Sequence, residues 1–203
     1  LRIATYNTGN SQGGQTLART DMDVVLTAIG NESAAGLTKP LDVLVLQEQA
    51  SPATSTQSFA NVLNGIYGGN AYQRGTVAGA SLGGGGMGIV YNSSTVSLID
   101  ELAFGSLSSN GQLRQTLRYQ LRPVGYDAAA DFYVYVDHYK AGSSNSDQAQ
   151  RLVEAQSVRN NADALGEGAH LIYAGDFNVQ ASSEAMYQEL LSTGNGQAFD
   201  PID

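Results

Sequence analysis

A handful of residues in this chain combine an ionisable or amide side chain with a place at the end of an apolar run. Glu48 directly follows Val43-Leu44-Val45-Leu46-Gln47. A strand there delivers a carboxylate at its carboxyl end, where crevices in α/β sheets form; taken alone, Glu48 would equally be a solvated loop acid. Asp176 and Asn178 follow Leu171-Ile172-Tyr173-Ala174, with Gly175 before them and Phe177 between. In extended backbone, side chains two apart point the same way, so this spacing aims a carboxylate and an amide at one point and turns Phe177 into the core. A proton acceptor beside a hydrogen-bond donor suits activation of a water next to an anion. The same residues would equally form an Asx turn that closes a strand. Asn7 ends the run from Leu1 in the same manner, and His138, followed by Tyr139 and Lys140, puts an imidazole and an ammonium at another strand mouth. His170 precedes an apolar strand without polar company and reads as structural.

The elements that must position these groups follow from periodicity. Leu1 to Asn7 and Asp42 to Gln47 read as central strands, the second as an apolar run buried on both faces. Between them, Thr20 with Asp23 three residues on, then Val24, Val25, Ala28 and Ile29 before Gly30, predicts a capped helix with a glycine stop. A second helix is predicted over Ser58 to Ile66. Met87 to Tyr91, the turn Asn92-Ser93-Ser94 and Thr95 to Leu98 predict a hairpin, and Gln115 to Leu121 with Phe132 to Val136 a second strand pair. Asp147 or Ser146 would cap a helix with Leu152, Ala155, Val158, Ala162 and Leu165 on one face; Ser182-Ser183-Glu184 would start a last, short one. Mixed strand pairs with interspersed helices favour two packed sheets with helices outside. With no internal repeat or charge block, residues 1–203 read as one domain.

Composition narrows the classes. In 203 residues, 42% hydrophobic and 14% charged, Asp and Glu number 19 against 10 Lys and Arg, a formal charge of -9. Such a chain lacks the broad basic face of a nucleic-acid coat; an enzyme that touches one phosphate through a bound cation stays possible. No cysteine is present, which removes disulfides, thiolate metal sites and cysteine nucleophiles. The longest apolar runs are strand-length, short of the ~20 residues of a membrane helix, so a soluble chain without a membrane span is expected. The run Gly83-Gly84-Gly85-Gly86 lacks the Lys and Ser or Thr of a phosphate-cradling P-loop and opens a strand instead, so it reads as a flexible loop. With 24 glycines, about 12% against the usual ~7%, and little lysine, the composition leans toward a secreted bacterial protein, extracellular or periplasmic.

The segments Arg2-Ile3-Ala4-Thr5-Tyr6-Asn7, Leu44-Val45-Leu46-Gln47-Glu48, Gly86-Met87-Gly88-Ile89-Val90-Tyr91, Val136-Asp137-His138-Tyr139-Lys140 and Gly175-Asp176-Phe177-Asn178, in this order, resemble the endonuclease/exonuclease/phosphatase superfamily. The resemblance spans residues 2 to 178. It implies a four-layer α-β-β-α sandwich of two mixed sheets with the site at the strand mouths, and a divalent cation, Mg²⁺ with Mn²⁺ as the alternative. By motif position Glu48 would hold the metal with Asn7 as its neighbour, Asp176 would orient or deprotonate the attacking water, and Asn178 would bind the phosphate. His138 would stabilise developing charge or protonate the leaving oxygen, and Arg114 resembles a family arginine near the substrate phosphate. One or two carboxylates with retained waters is how proteins hold Mg²⁺.

The expected activity is therefore metal-dependent hydrolysis of a phosphoester, by a phosphodiesterase or nuclease. Two alternatives stand beside it: a phosphoesterase of phospholipid head groups or inositol phosphates, which the -9 charge favours, and a binding module with the same fold and weak catalysis. Family members carry a terminal Asp-His pair after further strands, and this sequence runs to Asp200-Pro201-Ile202-Asp203 without one. The expectation is a processed or excised piece lacking the C-terminal strands, slow in turnover and prone to associate through an uncovered sheet edge.

Overall fold

The structure, a computed structural model, describes residues 1–9, 17–33 and 36–200; Pro201, Ile202 and Asp203 lie outside the described residues. In chain order the elements are β1 (Ile3–Asn7), α1 (Met22–Asn31), β2 (Val43–Gln49), α2 (Gln57–Tyr67), β3 (Tyr72–Arg74), β4 (Gly86–Asn92) and β5 (Val96–Phe104). They continue with β6 (Thr116–Pro123), β7 (Phe132–His138), α3 (Asn145–Asp163), β8 (His170–Asp176) and α4 (Ala185–Leu191). Among the described residues the strands form two four-stranded sheets, in the orders β1-β2-β4-β3 and β5-β6-β7-β8. β1 and β2 are parallel, as are β7 and β8, and the other neighbours are antiparallel.

Alternation along the central strands explains the layering, because successive side chains leave a strand on opposite faces. Val43 and Val45 of β2 join Met87, Ile89, Leu117, Tyr119, Val134 and Val136 in a core between the two sheets. Leu44 and Leu46 face the other way and pack with Met22 and Leu26 of α1 and with Phe59 and Leu63 of α2. On the far side, Tyr135 and Tyr139 meet Ala155, Val158 and Ala162 of α3 and Met186 and Leu190 of α4. The result is the four-layer α-β-β-α sandwich.

Four expectations change. The segments 87–91 and 95–98 are not a hairpin: β4 pairs with β2 and β3, whereas β5 pairs with β6 in the other sheet. The turn Asn92 to Thr95 carries the chain across the sandwich, and Val96 drops fully buried into the inter-sheet core. Second, β1 is an edge strand among the described residues, paired on one side only, and two of its five residues are exposed. Third, α1 buries Met22, Leu26 and Gly30 rather than Val24 and Val25; it runs through Gly30, whose missing Cβ makes room for the Tyr67 hydroxyl. Asp21, not Thr20, is its N-cap, with no side-chain capping bond. Fourth, Ser144 caps α3, and Asp147 closes a reciprocal capping box on it.

Candidate active site

Asn7, Glu48, His138 and Asp176 stand at or beside the carboxyl ends of β1, β2, β7 and β8. Because β1 and β2 run parallel in one sheet and β7 and β8 in the other, packing the sheets face to face brings four strand ends to one mouth. The Asn7 side-chain amide donates to Glu48 Oε1 at 3.2 Å and to Asp176 Oδ2 at 2.9 Å. Its oxygen accepts from the Gly9 N–H at 3.0 Å. One amide thus ties together two carboxylates delivered by different sheets.

Local backbone aims these groups. Three non-glycine residues among those described have positive φ, and two of them are Glu48 (58°) and Asn178 (50°). At Glu48 the ladder to β4 slips between Leu46 and Gln49, a bulge that turns the carboxylate out of the strand into the mouth. Asn178 therefore does not continue extended backbone as the spacing argument assumes. Its N–H closes an Asx turn on Asp176 Oδ1 at 3.2 Å and its side-chain nitrogen donates to the Tyr139 carbonyl at 3.0 Å. The strand-closing turn and the convergence of Asp176 with Asn178 coexist. Phe177 turns inward as expected, edge-on to Tyr139 with centroids 5.2 Å apart.

Asp176 is one-third exposed and His138 only 6% exposed, with 3.9 Å between His138 Nε2 and Asp176 Oδ2, beyond hydrogen-bond reach. Burial, then the neighbouring Arg114 cation, hold the imidazole below its ordinary pKa near 6.5, against the opposite pull of Asp176 and Glu48. His138 is accordingly neutral at neutral pH. Arg114 donates to the His138 carbonyl at 3.0 Å and lies close enough to Glu48 and Asp176 to feel both charges. Lys140 turns away, pairing with Asp147 at 2.7 Å. His170 starts β8 at the opposite strand end.

The mouth opens on a cleft of about 430 Å³ lined by Thr5, Asn7, Gln47, Asp176, Phe177 and Asn178, among others. A larger hollow of about 760 Å³ lies along β8 and α4 and contains neither carboxylate of the mouth. Among the described residues no three His, Asp or Glu side chains converge as a metal cluster. The donor set of two carboxylates and an amide nevertheless fits Mg²⁺, which keeps several waters and needs only one or two protein carboxylates.

The sequence reading missed the residues beneath the mouth. Thr8 Oγ1 donates to the Gln47 carbonyl at 2.9 Å and accepts from Gln49 Nε2 at 2.9 Å, locking the ends of β1 and β2 together. The pattern Gln47-Glu48-Gln49 is a trace of this, since polar residues at the end of an apolar strand must find partners. It missed also that Gly84, inside the glycine run, leaves room for Arg114: a Cβ there would lie 1.7 Å from Arg114 Nη2.

The model of the Endonuclease/Exonuclease/phosphatase family matches residues 4–197. Among the curated proteins none matches the chain. A humanised zebrafish (D. rerio) TDP2 superimposes with a TM-score of 0.59 at 19% identity, covering 91% of this chain and 65% of that one. The human Nocturnin catalytic domain with bound sulfate gives 0.56 at 18%, covering 79% and 64%. A mannosyl-6-phosphatase of Bacteroides thetaiotaomicron gives 0.59 at 14%, covering 93% and 71%. The chain therefore spans less than two thirds of the length of the first two, and at these identities the likeness shows the fold.

Proposed function

The chain belongs to the Endonuclease/Exonuclease/phosphatase family, and from that premise we propose that it is a Mg²⁺-dependent phosphoesterase that hydrolyses a phosphodiester at the mouth of the two sheets. The observation that carries this reading is the Asn7 amide bridging Glu48 and Asp176. It gathers the carboxylates that water activation and cation binding require. Glu48, with the side-chain oxygen of Asn7 as neighbour, would hold the cation, which when bound polarises a phosphoryl oxygen; Mn²⁺ would serve the same donors.

The remaining roles belong to the chain's own groups. Asp176, oriented by the Asn178 N–H and the Asn7 amide, accepts the proton of the attacking water. Asn178 uses one amide hydrogen on Tyr139; the other donates to a phosphoryl oxygen. His138, neutral in its buried setting, donates its single N–H toward the leaving oxygen. Arg114 supplies positive charge beside the phosphate. Turnover of bis(p-nitrophenyl) phosphate with Mg²⁺ tests the reading. Glu48→Gln and Asp176→Asn should each lower kcat by about 10²- to 10⁴-fold, and unchanged turnover in both would overturn it.

A second reading concerns the substrate's size. The formal charge of -9 repels a polyanion, and Lys140 beside the mouth is already paired with Asp147. This favours a small phosphoester, such as a head group or an inositol phosphate, over a nucleic acid. Rates on plasmid DNA, RNA, sphingomyelin and inositol phosphates separate the two, and a large preference for nucleic acid would reject the small-ester reading.

A further inference from the structure

Helix α3 buries charge where a helix packed on a sheet would ordinarily bury only apolar groups. Arg151 is 0% exposed and Glu154 1%, one helical turn apart on the inner face. Buried ion pairs are commonly no better for stability than apolar residues of the same volume, so burial energetics alone do not explain them. Their partners do. Glu154 Oε1 accepts from the Leu113 N–H at 3.3 Å, and Oε2 from the Lys140 N–H at 2.8 Å. Arg151 Nη1 donates to the carbonyls of Lys140 at 2.6 Å and Gly142 at 2.8 Å, and Nε to Glu184 Oε1 at 2.5 Å. Glu184 Oε2 then accepts from the Gln180 N–H at 3.1 Å.

Three of the four backbone sites held in this way lie one or two residues from a group at the mouth, and the fourth, Gly142, lies four residues after His138. Leu113 precedes Arg114, and Lys140 follows His138 by two residues. Gln180 follows Asn178 by two, and its side chain donates to the Asn178 carbonyl at 2.9 Å. Three loops of the second sheet, the one leading into β6 and those following β7 and β8, are therefore held by two side chains of one helical turn, the last of them through Glu184. We propose that Arg151 and Glu154 are positioning residues of the phosphoester site, holding Arg114, His138 and Asn178 in register without touching the substrate. The inference rests on the functional reading above.

The test uses the 203-residue chain with Mg²⁺ and bis(p-nitrophenyl) phosphate, together with amide hydrogen exchange over residues 105–115, 139–144 and 177–184. Glu154→Gln replaces one accepting oxygen with a donor and should speed exchange in the first two segments; Arg151→Lys loses the fork and should speed it in the last two. Each should lower kcat by about 10²-fold, the scale expected of misplaced reacting groups, and raise KM as Arg114 or Asn178 loosens from the phosphate. Val158→Ala, on the same helix but in the apolar core, is the comparison: it should lower Tm while leaving kcat and loop exchange near wild type. Loop exchange or kcat unaltered in both charge variants overturns the inference, as does a kcat loss in Val158→Ala that matches theirs at equal loss of Tm. An inactive wild-type chain overturns the phosphoester reading instead. Faster loop exchange in the variants would still establish the anchoring.

Discussion

Gly84 shows how one missing atom shapes the site. Its φ of +75° is a conformation that side chains rarely adopt, and a Cβ would collide with the Arg114 guanidinium. Gly84→Ala should shift Arg114 off the mouth, raising KM for a phosphoester more than it lowers Tm; steady-state kinetics beside a thermal melt checks this. Asp137, one residue before His138, is a second case. It lies 1% exposed, accepts from Thr116 Oγ1 at 2.7 Å, and burial pushes its pKa up to about 8 from an ordinary value near 3.8. A folded pKa above the unfolded one means stability fully present below about pH 4 and lost as pH rises through about 8. Between those limits the expected slope is on the order of 1 kcal/mol per pH unit. Urea titrations at several pH values should show that slope in the wild type and its absence in Asp137→Asn.

At the scale of elements, the parallel pair β7 and β8 sets the distance between the two halves of the chemistry. Gly175 lies opposite Asp137 in the ladder, and a Cβ there would come within 2.0 Å of the Asp137 carbonyl oxygen. Backbone on both sides leaves nothing flexible to yield. Gly175→Ala should therefore force the strands apart, lowering Tm and kcat together, whereas an unchanged melt would show that the ladder tolerates the spread. The capping box of α3 gives a milder expectation. Ser144→Ala removes the acceptor for the Asp147 N–H and should cost about 1 kcal/mol. Circular dichroism melts measure it, and kcat should survive at temperatures where the chain stays folded.

For the whole molecule, net charge decides how substrate arrives. A formal charge of -9 repels phosphodiester polymers, and added salt screens that repulsion. Turnover of DNA should therefore rise with monovalent salt from low to moderate concentration, opposite to the fall seen when basic proteins release counterions on binding. Rates on plasmid DNA across a salt series check the sign; a steep fall would reveal a cationic track that the charge balance conceals. Among the described residues no helix is long and apolar enough to cross a membrane.

What the sequence determined by itself was local. Strand and helix periods expose which residues share a face, so the alternation of Val43 and Val45 with Leu44 and Leu46 already implied a sheet covered on both sides. Placement of Asn7, Glu48, His138 and Asp176 at strand ends was equally legible, since it needs only the end of an apolar run. Which strand ends meet was decided by tertiary structure, because Asn7 and Asp176 touch across 169 positions and no periodicity spans that separation. The turn at Asn92 to Thr95 misled for the same reason: a tight turn looks alike whether the next strand pairs with the last or crosses to the other sheet. Backbone sign at Glu48 and Asn178 and the buried charges Arg151 and Glu154 were likewise invisible. Each is a cost that a sequence read alone argues against, and only the contacts of the folded chain offset it.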